Sequence, residues 1–165
     1  MILCVDPGST CAGFAIFSKS DSSLIRCGVF RGEDWIDTAN KIPEFQGIEK
    51  LIIEDPRIYP VTNVNPNDLM KLAKAVGAIV AKIDAKHTKL VTPSKWKKSV
   101  PKKIHQKRIW RTLEEKEKEI LDGCLCPKSL HHNVVDAVGI GLWELKRMLS
   151  YAEKYNRSRH DRSDH

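Results

Sequence analysis

Apolar positions along the chain alternate between two periods, and the switches mark the elements. Ile2 to Val5 is a short apolar run of strand type, stopped by Asp6 and the turn-forming Pro7-Gly8-Ser9. Gly13 to Phe17 and Leu24 to Phe30 read as a second and a third strand. Asp21-Ser22-Ser23 between them has hairpin-turn composition, so these three runs predict an antiparallel meander. A weak helical pattern (Trp35, Ile36, Ala39, Ile42) covers residues 33–46, and Leu51 to Ile53 opens a fourth strand closed by Glu54-Asp55-Pro56. Residues 57–67 form a proline-punctuated loop in which Asn65 or Asn67 can cap the next helix. In that helix Leu69, Leu72, Ala73, Val76, Ile79, Val80 and Ile83 recur at three- and four-residue steps. Lys89 to Val91 is a fifth strand, ended by Thr92-Pro93. Ile104 to Leu121 predicts one helix, with Trp110, Leu113, Ile120 and Leu121 inward and the Glu114–Glu119 charge run on a solvated face. The last helix, residues 134–149, is apolar around much of its circumference and is expected to be deeply packed.

The fourth and fifth strands each follow a helix, and right-handed crossovers make them parallel to the first. The expected fold is therefore α/β: a mixed five-stranded sheet, antiparallel over strands one to three and parallel over strands four and five, flanked by helices. One domain is expected over residues 1–152. Residues 153–165 form a basic and polar tail, expected to be flexible because residues 156–165 lack apolar positions to bury.

Composition changes this picture mainly through where the charge sits. The 165 residues suit one domain with a core that needs no disulfide or structural metal. No apolar run approaches the roughly 18 residues of a membrane span. Neither a signal peptide nor a disulfide framework is expected, because the N-terminal pattern lacks the first and the five scattered cysteines do not suit the second. The net charge is +7, from 28 basic and 21 acidic residues. From Lys86 to Arg111 the chain carries ten basic residues and no acidic one, leaving 18 basic against 21 acidic elsewhere, a balance of −3. The excess is thus a local stretch, which includes Lys95, Lys97, Lys98, Lys102, Lys103, Lys107 and Arg108. An unneutralised basic stretch of this kind faces a polyanion or is a solvated loop, and Trp96 and Trp110 inside it favour nucleic acid through base stacking.

Three acids then fall at comparable places in the topology. Asp6 ends the first strand, Glu54 ends the fourth, and Asp136 opens the final helix. An acid just past a strand stands at the carboxyl edge of the sheet, where α/β folds place their sites. With strands one and four adjacent, Asp6 and Glu54 point into one crevice, to which the last helix can deliver Asp136. Three converging carboxylates repel unless protons or cations intervene, and hard divalent ions with oxygen ligands, Mg²⁺ or Mn²⁺, are their natural neutralisers. Each acid alone also has a bland reading: a turn cap, a loop start and a helix N-terminal charge.

Three segments resemble, in order, the motifs of RuvC-type Holliday junction resolvases of the RNase H-like superfamily: ILCVDPGSTCAGFAIF, LIIEDPRIYP and HHNVVDAVGIGLWEL. The resemblance spans residues 2 to about 149 and extends to a phage-borne member of that group. It implies an RNase H-like sheet and a structure-specific endonuclease that resolves four-way DNA junctions by paired symmetric nicks. It further implies a homodimer, two Mg²⁺ or Mn²⁺ ions per active site, no small-molecule cofactor and no membrane partner. The expected location is the cytoplasm of a bacterium or of a phage-infected host cell. Carried over by position, Asp6, Glu54 and Asp136 are the metal-binding catalytic acids. The family's fourth ligand is an Asp or His three residues before the last acid; here that position is Asn133, with His132 beside it as the other candidate. The family's junction-facing aromatic corresponds to Tyr59, and TPSKWKKSVPKK resembles its basic segment, so Lys95, Lys97, Lys98, Lys102 and Lys103 would hold phosphates. Trp96 suits a core anchor as well as a base-stacking residue.

Other readings are weaker. Sugar kinases and actin-like ATPases share the superfold but need two such domains, and no phosphate-binding Gly-rich loop with Lys is present. Cys124-x-Cys126 with His131 and His132 lacks zinc-site spacing. Besides the junction resolvase, a broader flap or fork nuclease and a non-catalytic junction-binding module remain open.

Overall fold

The computed structural model describes residues 1–57 and 65–148. Its strands are β1 (Ile2–Asp6), β2 (Cys11–Phe17), β3 (Leu24–Arg31), β4 (Lys50–Glu54) and β5 (His87–Val91). They form one sheet of order β3-β2-β1-β4-β5. β1 pairs antiparallel with β2 and β2 with β3, whereas β4 runs parallel to β1 and β5 parallel to β4. This is the mixed five-stranded sheet, antiparallel over the first three strands and parallel over the last two, that the periodicity and the crossover rule predict.

Side-chain alternation along the strands divides the core into two layers. Leu3 and Val5 of β1, Phe14 and Ile16 of β2 and Leu51 and Ile53 of β4 face the helix α2 (Pro66–Lys82) through Val76 and Ile79. Ile2 and Cys4, Ala15 and Phe17, and Ile52 face the other way, onto α6 (His131–Glu144). Every residue of α6 from Val134 to Leu142 is buried, as its apolar circumference requires. Asn65 caps α2 by accepting from the Asn67 backbone N–H, with Pro66 in the first turn.

Four shorter helices complete the fold: α1 (Trp35–Asn40), α3 (Pro93–Trp96), α4 (Lys102–Thr112) and α5 (Glu115–Asp122). Several expectations are corrected here. The helical pattern over residues 33–46 yields a helix of only six residues, capped by Asp34. The expected single helix from Ile104 to Leu121 is two helices, broken at Leu113, where the backbone turns extended and Glu114 begins a reciprocal capping box with Glu117. The Glu114–Glu119 run is not wholly a solvated face either. Glu117 is 3% exposed, and its carboxylate accepts from the backbone N–H groups of Leu24 and Glu114 and from both terminal nitrogens of Arg147. The last helix ends at Glu144 rather than near 149.

Tyr59, the tail over 153–165 and the domain boundary at 152 lie outside the described residues. Among the described residues no helix is long and apolar enough to cross a membrane.

Candidate active site

The alternation that sorts the core also aims the acids. Asp6 continues the face of Ile2 and Cys4, and Glu54 continues the face of Ile52, so both belong to the α6 side of the sheet. In the parallel pairing Val5 lies beside Ile53, which makes Asp6 and Glu54 the next step of adjacent strands. Across the antiparallel pair Asp6 stands opposite Gly13. A Cβ on Gly13 would sit 2.1 Å from the Asn133 carbonyl oxygen, so the first turn of α6 rests directly on the β2 backbone. That close approach brings Asp136 to the same crevice. Asp136 does not open the helix as expected: α6 starts at His131, which places Asp136 in the second turn on the buried face, 6% exposed.

The acids perturb one another. Burial first, then Glu54 and Asp136, push the Asp6 carboxyl well above the ordinary carboxylate range, with Lys97 and Lys102 opposing. Burial also raises Asp136, again opposed by Lys97, Lys102 and His132. Lys97 Nζ lies 3.4 Å from Glu54 Oε2, and Lys102 Nζ lies 3.7 Å from Asp136 Oδ2. The basic stretch is therefore divided. Lys97 and Lys102 are turned toward carboxylates, whereas Lys95, Lys98, Lys103, Lys107 and Arg108 are exposed.

Trp96 is 3% exposed, which excludes it as a base-stacking residue. Its indole Nε1–H donates to Glu54 Oε2 at 2.6 Å. Nothing in the spacing of the sequence pointed to this bond; the one signal was an aromatic amid lysines. Asn133 lies on α6 one turn before Asp136, and its amide nitrogen donates to Cys11 Sγ at 3.6 Å. His132 is exposed, close enough to Asp136 to oppose the rise of its carboxyl pKa. The Cys11 contact was also not foreseen. Cys124 and Cys126 place their sulfurs 3.4 Å apart, and burial with the neighbouring thiol pushes Cys124 up to about 11.

The donor set suits a divalent ion of the Mg²⁺ or Mn²⁺ class. Three carboxylates of hard oxygens share a crevice in which Asp6 resists ionisation, and lysine ammonium groups stand where cationic charge is needed. As the side chains stand, no three His, Cys, Asp or Glu groups among the described residues are gathered closely enough to hold an ion. Glu54 and Asp136 are each engaged by a lysine instead.

No family model and no curated protein matches the chain. Solved structures do. RuvC from Thermus thermophilus superposes with a TM-score of 0.55 at 16% identity, over 87% of this chain and 92% of that one. The chain has the RuvC fold. The yeast mitochondrial Holliday junction resolvase Ydc2 has the same fold, with a TM-score of 0.51 at 11% identity over 89% of this chain and 79% of its own. Within this RuvC fold the three acids occupy two strand ends and one helix of the sheet's α6 side.

Proposed function

We propose that the protein is a structure-specific DNA endonuclease, dependent on Mg²⁺ or Mn²⁺, that resolves four-way junctions by paired nicks as a homodimer. The observation that carries this reading is the convergence of Asp6, Glu54 and Asp136, from three separate elements, beside an exposed basic stretch. Similarity in fold to proteins named RuvC and Holliday junction resolvase supports it.

In this reading Asp6, Glu54 and Asp136 hold two divalent ions, with Asn133 or His132 completing the set. Ions so held supply an activated water and charge stabilisation for the leaving oxygen of a phosphodiester. The protein's own residues do the rest. Lys95, Lys98, Lys103, Lys107 and Arg108 bind backbone phosphates without reading sequence. Lys97 and Lys102, at the rim of the acid cluster, exchange carboxylate partners for the incoming phosphate and offset its charge. The expected products carry 5′-phosphate and 3′-hydroxyl ends.

The test is cleavage of a labelled synthetic four-way junction beside duplex and fork controls, with Mg²⁺, with Mn²⁺ and with a chelator, for the wild type and Asp6→Asn. Paired, metal-dependent nicks confined to the junction and absent from the variant are expected. Equal cutting of forks would broaden the substrate. Tight junction binding without cleavage under either ion would leave a binding module, with the uncharged Asn133 as its cause.

A further inference from the structure

We propose that Trp96 is a positioning residue for Glu54: its indole N–H clamps one carboxylate oxygen and so presents the other to a divalent cation. This inference rests on the metal-dependent reading above.

The bond is short, 2.6 Å from Nε1 to Oε2, and Lys97 Nζ approaches that same oxygen at 3.4 Å. Among the described residues Oε1 accepts no hydrogen bond, so one face of the carboxylate is occupied and the other is left to a ligand. The indole itself is held from three sides. His105 meets its ring edge-on, with centroids 4.9 Å apart at 68°. Lys97 lies over its face at 4.8 Å. Behind it, α6 carries Gly139, where a Cβ would come within 2.9 Å of the ring and 2.5 Å of Ile109. Gly139 lies three residues beyond Asp136, so the seat of the indole and the third acid share one stretch of helix. A ring so confined cannot turn its N–H away, and it fixes the torsion of Glu54 as an outer-shell partner fixes a metal ligand.

The choice of side chain has chemical content. Indole nitrogen is a donor only and carries no charge. It can orient a carboxylate without neutralising it, whereas a lysine clamped to the same oxygen would compete with the ion for the negative charge. Lys97 is free to leave when phosphate or metal arrives, and Trp96 is not.

The test uses the full chain and Mg²⁺ alone as the probe. The ¹⁵N-correlated spectrum has four indole signals, one per tryptophan, and the signal lost in Trp96→Phe is that of Trp96. In the wild type that signal should lie downfield, move upfield in Glu54→Gln as a charge-assisted bond becomes a neutral one, and respond to added Mg²⁺. Calorimetric titration should show Mg²⁺ affinity reduced about 10- to 100-fold in Trp96→Phe. Junction cleavage by that variant should fall at low Mg²⁺ and recover at high Mg²⁺, a pattern that loss of folding would not give. A Trp96 signal indifferent to Glu54→Gln overturns the bond. Equal Mg²⁺ affinity in wild type and Trp96→Phe overturns the positioning role alone. A wild type that takes up no Mg²⁺ overturns it together with the metal-dependent reading, even if the signal still answers to Glu54→Gln.

Discussion

Replacing Arg147 with methionine leaves the Glu117 carboxylate buried without its guanidinium. Glu117 then keeps its bonds from the Leu24 and Glu114 backbone N–H groups and loses two at 2.6 Å from Arg147. Arg147 also donates to the carbonyls of Ser22 and Thr112, so the substitution unties the turn that leads into β3, the break between α4 and α5, and the chain just after α6. Removing one partner of a buried ion pair costs about 3–5 kcal/mol, more than the pair contributes, because a lone charge remains in a poor solvent. In a chain of 165 residues that lowers Tm by roughly 10 °C. The pH dependence gives a sharper test. Burial would raise the Glu117 pKa, but Arg147 and the two backbone donors hold it below the ordinary value. The wild-type contribution is therefore present above the unfolded-state value of 4.5 and is lost as pH falls through the lowered folded pKa. In Arg147→Met the burial effect dominates and raises the folded pKa, so stability is lost as pH rises instead. Urea denaturation of both proteins, followed by circular dichroism from pH 4 to pH 7, should show a gap that widens with pH. The double variant Glu117→Gln/Arg147→Met should recover much of the loss at pH 7. A gap below about 1 kcal/mol at pH 7, or one independent of pH, would refute the reasoning.

Three further outcomes follow from the same structure. His105 is 3% exposed with an unpartnered Nε2, and burial, then Lys97 and Arg108, bring its pKa down from 6.5 to about 4. Stability should thus hold above pH 6.5 and fall by up to about 3 kcal/mol toward pH 4, a loss that His105→Phe should lessen in denaturant titrations. Asp6→Asn should stabilise the ion-free protein by about 1–2 kcal/mol at pH 7 while abolishing cleavage, and the gain should vanish below about pH 4, where Asp6 is protonated in both states; no gain in calorimetry would contradict the crowding of the acids. Alanine at exposed Lys98, Lys103 or Lys107 should weaken junction binding and reduce the logarithmic salt slope by about 1 each, as read by fluorescence anisotropy; an unchanged slope removes that residue from the DNA surface.

Much of the frame was legible because it depends on periods that sequence displays directly. Short apolar runs stopped by turn residues predict β1 and β4 and put Asp6 and Glu54 at their carboxyl ends, and the three- and four-residue apolar pattern of α2 is unambiguous. What escaped depends on single contacts between distant positions. The break at Leu113–Glu114 is invisible to apolar spacing, since Leu113 is buried as a continuous helix would also have it. Glu117 reads as one acid in a charged run until Arg147, thirty residues on, closes over it. Trp96 among lysines suited a core anchor as well as a base-stacking residue, and the space that decides for the core is opened by Gly139 on a distant helix.

The seating of α6 on the bare backbone of Gly13 also bears on when the protein can act. Asp6 and Glu54 belong to early strands, but Asp136 reaches the crevice only after α6 has docked, with each residue from Val134 to Leu142 entering the core. A chain emerging from the ribosome therefore carries two of the three acids well before the third exists. On the reading proposed above, nuclease activity is withheld until the fold is complete, and a partly synthesised chain poses no threat to the DNA around it.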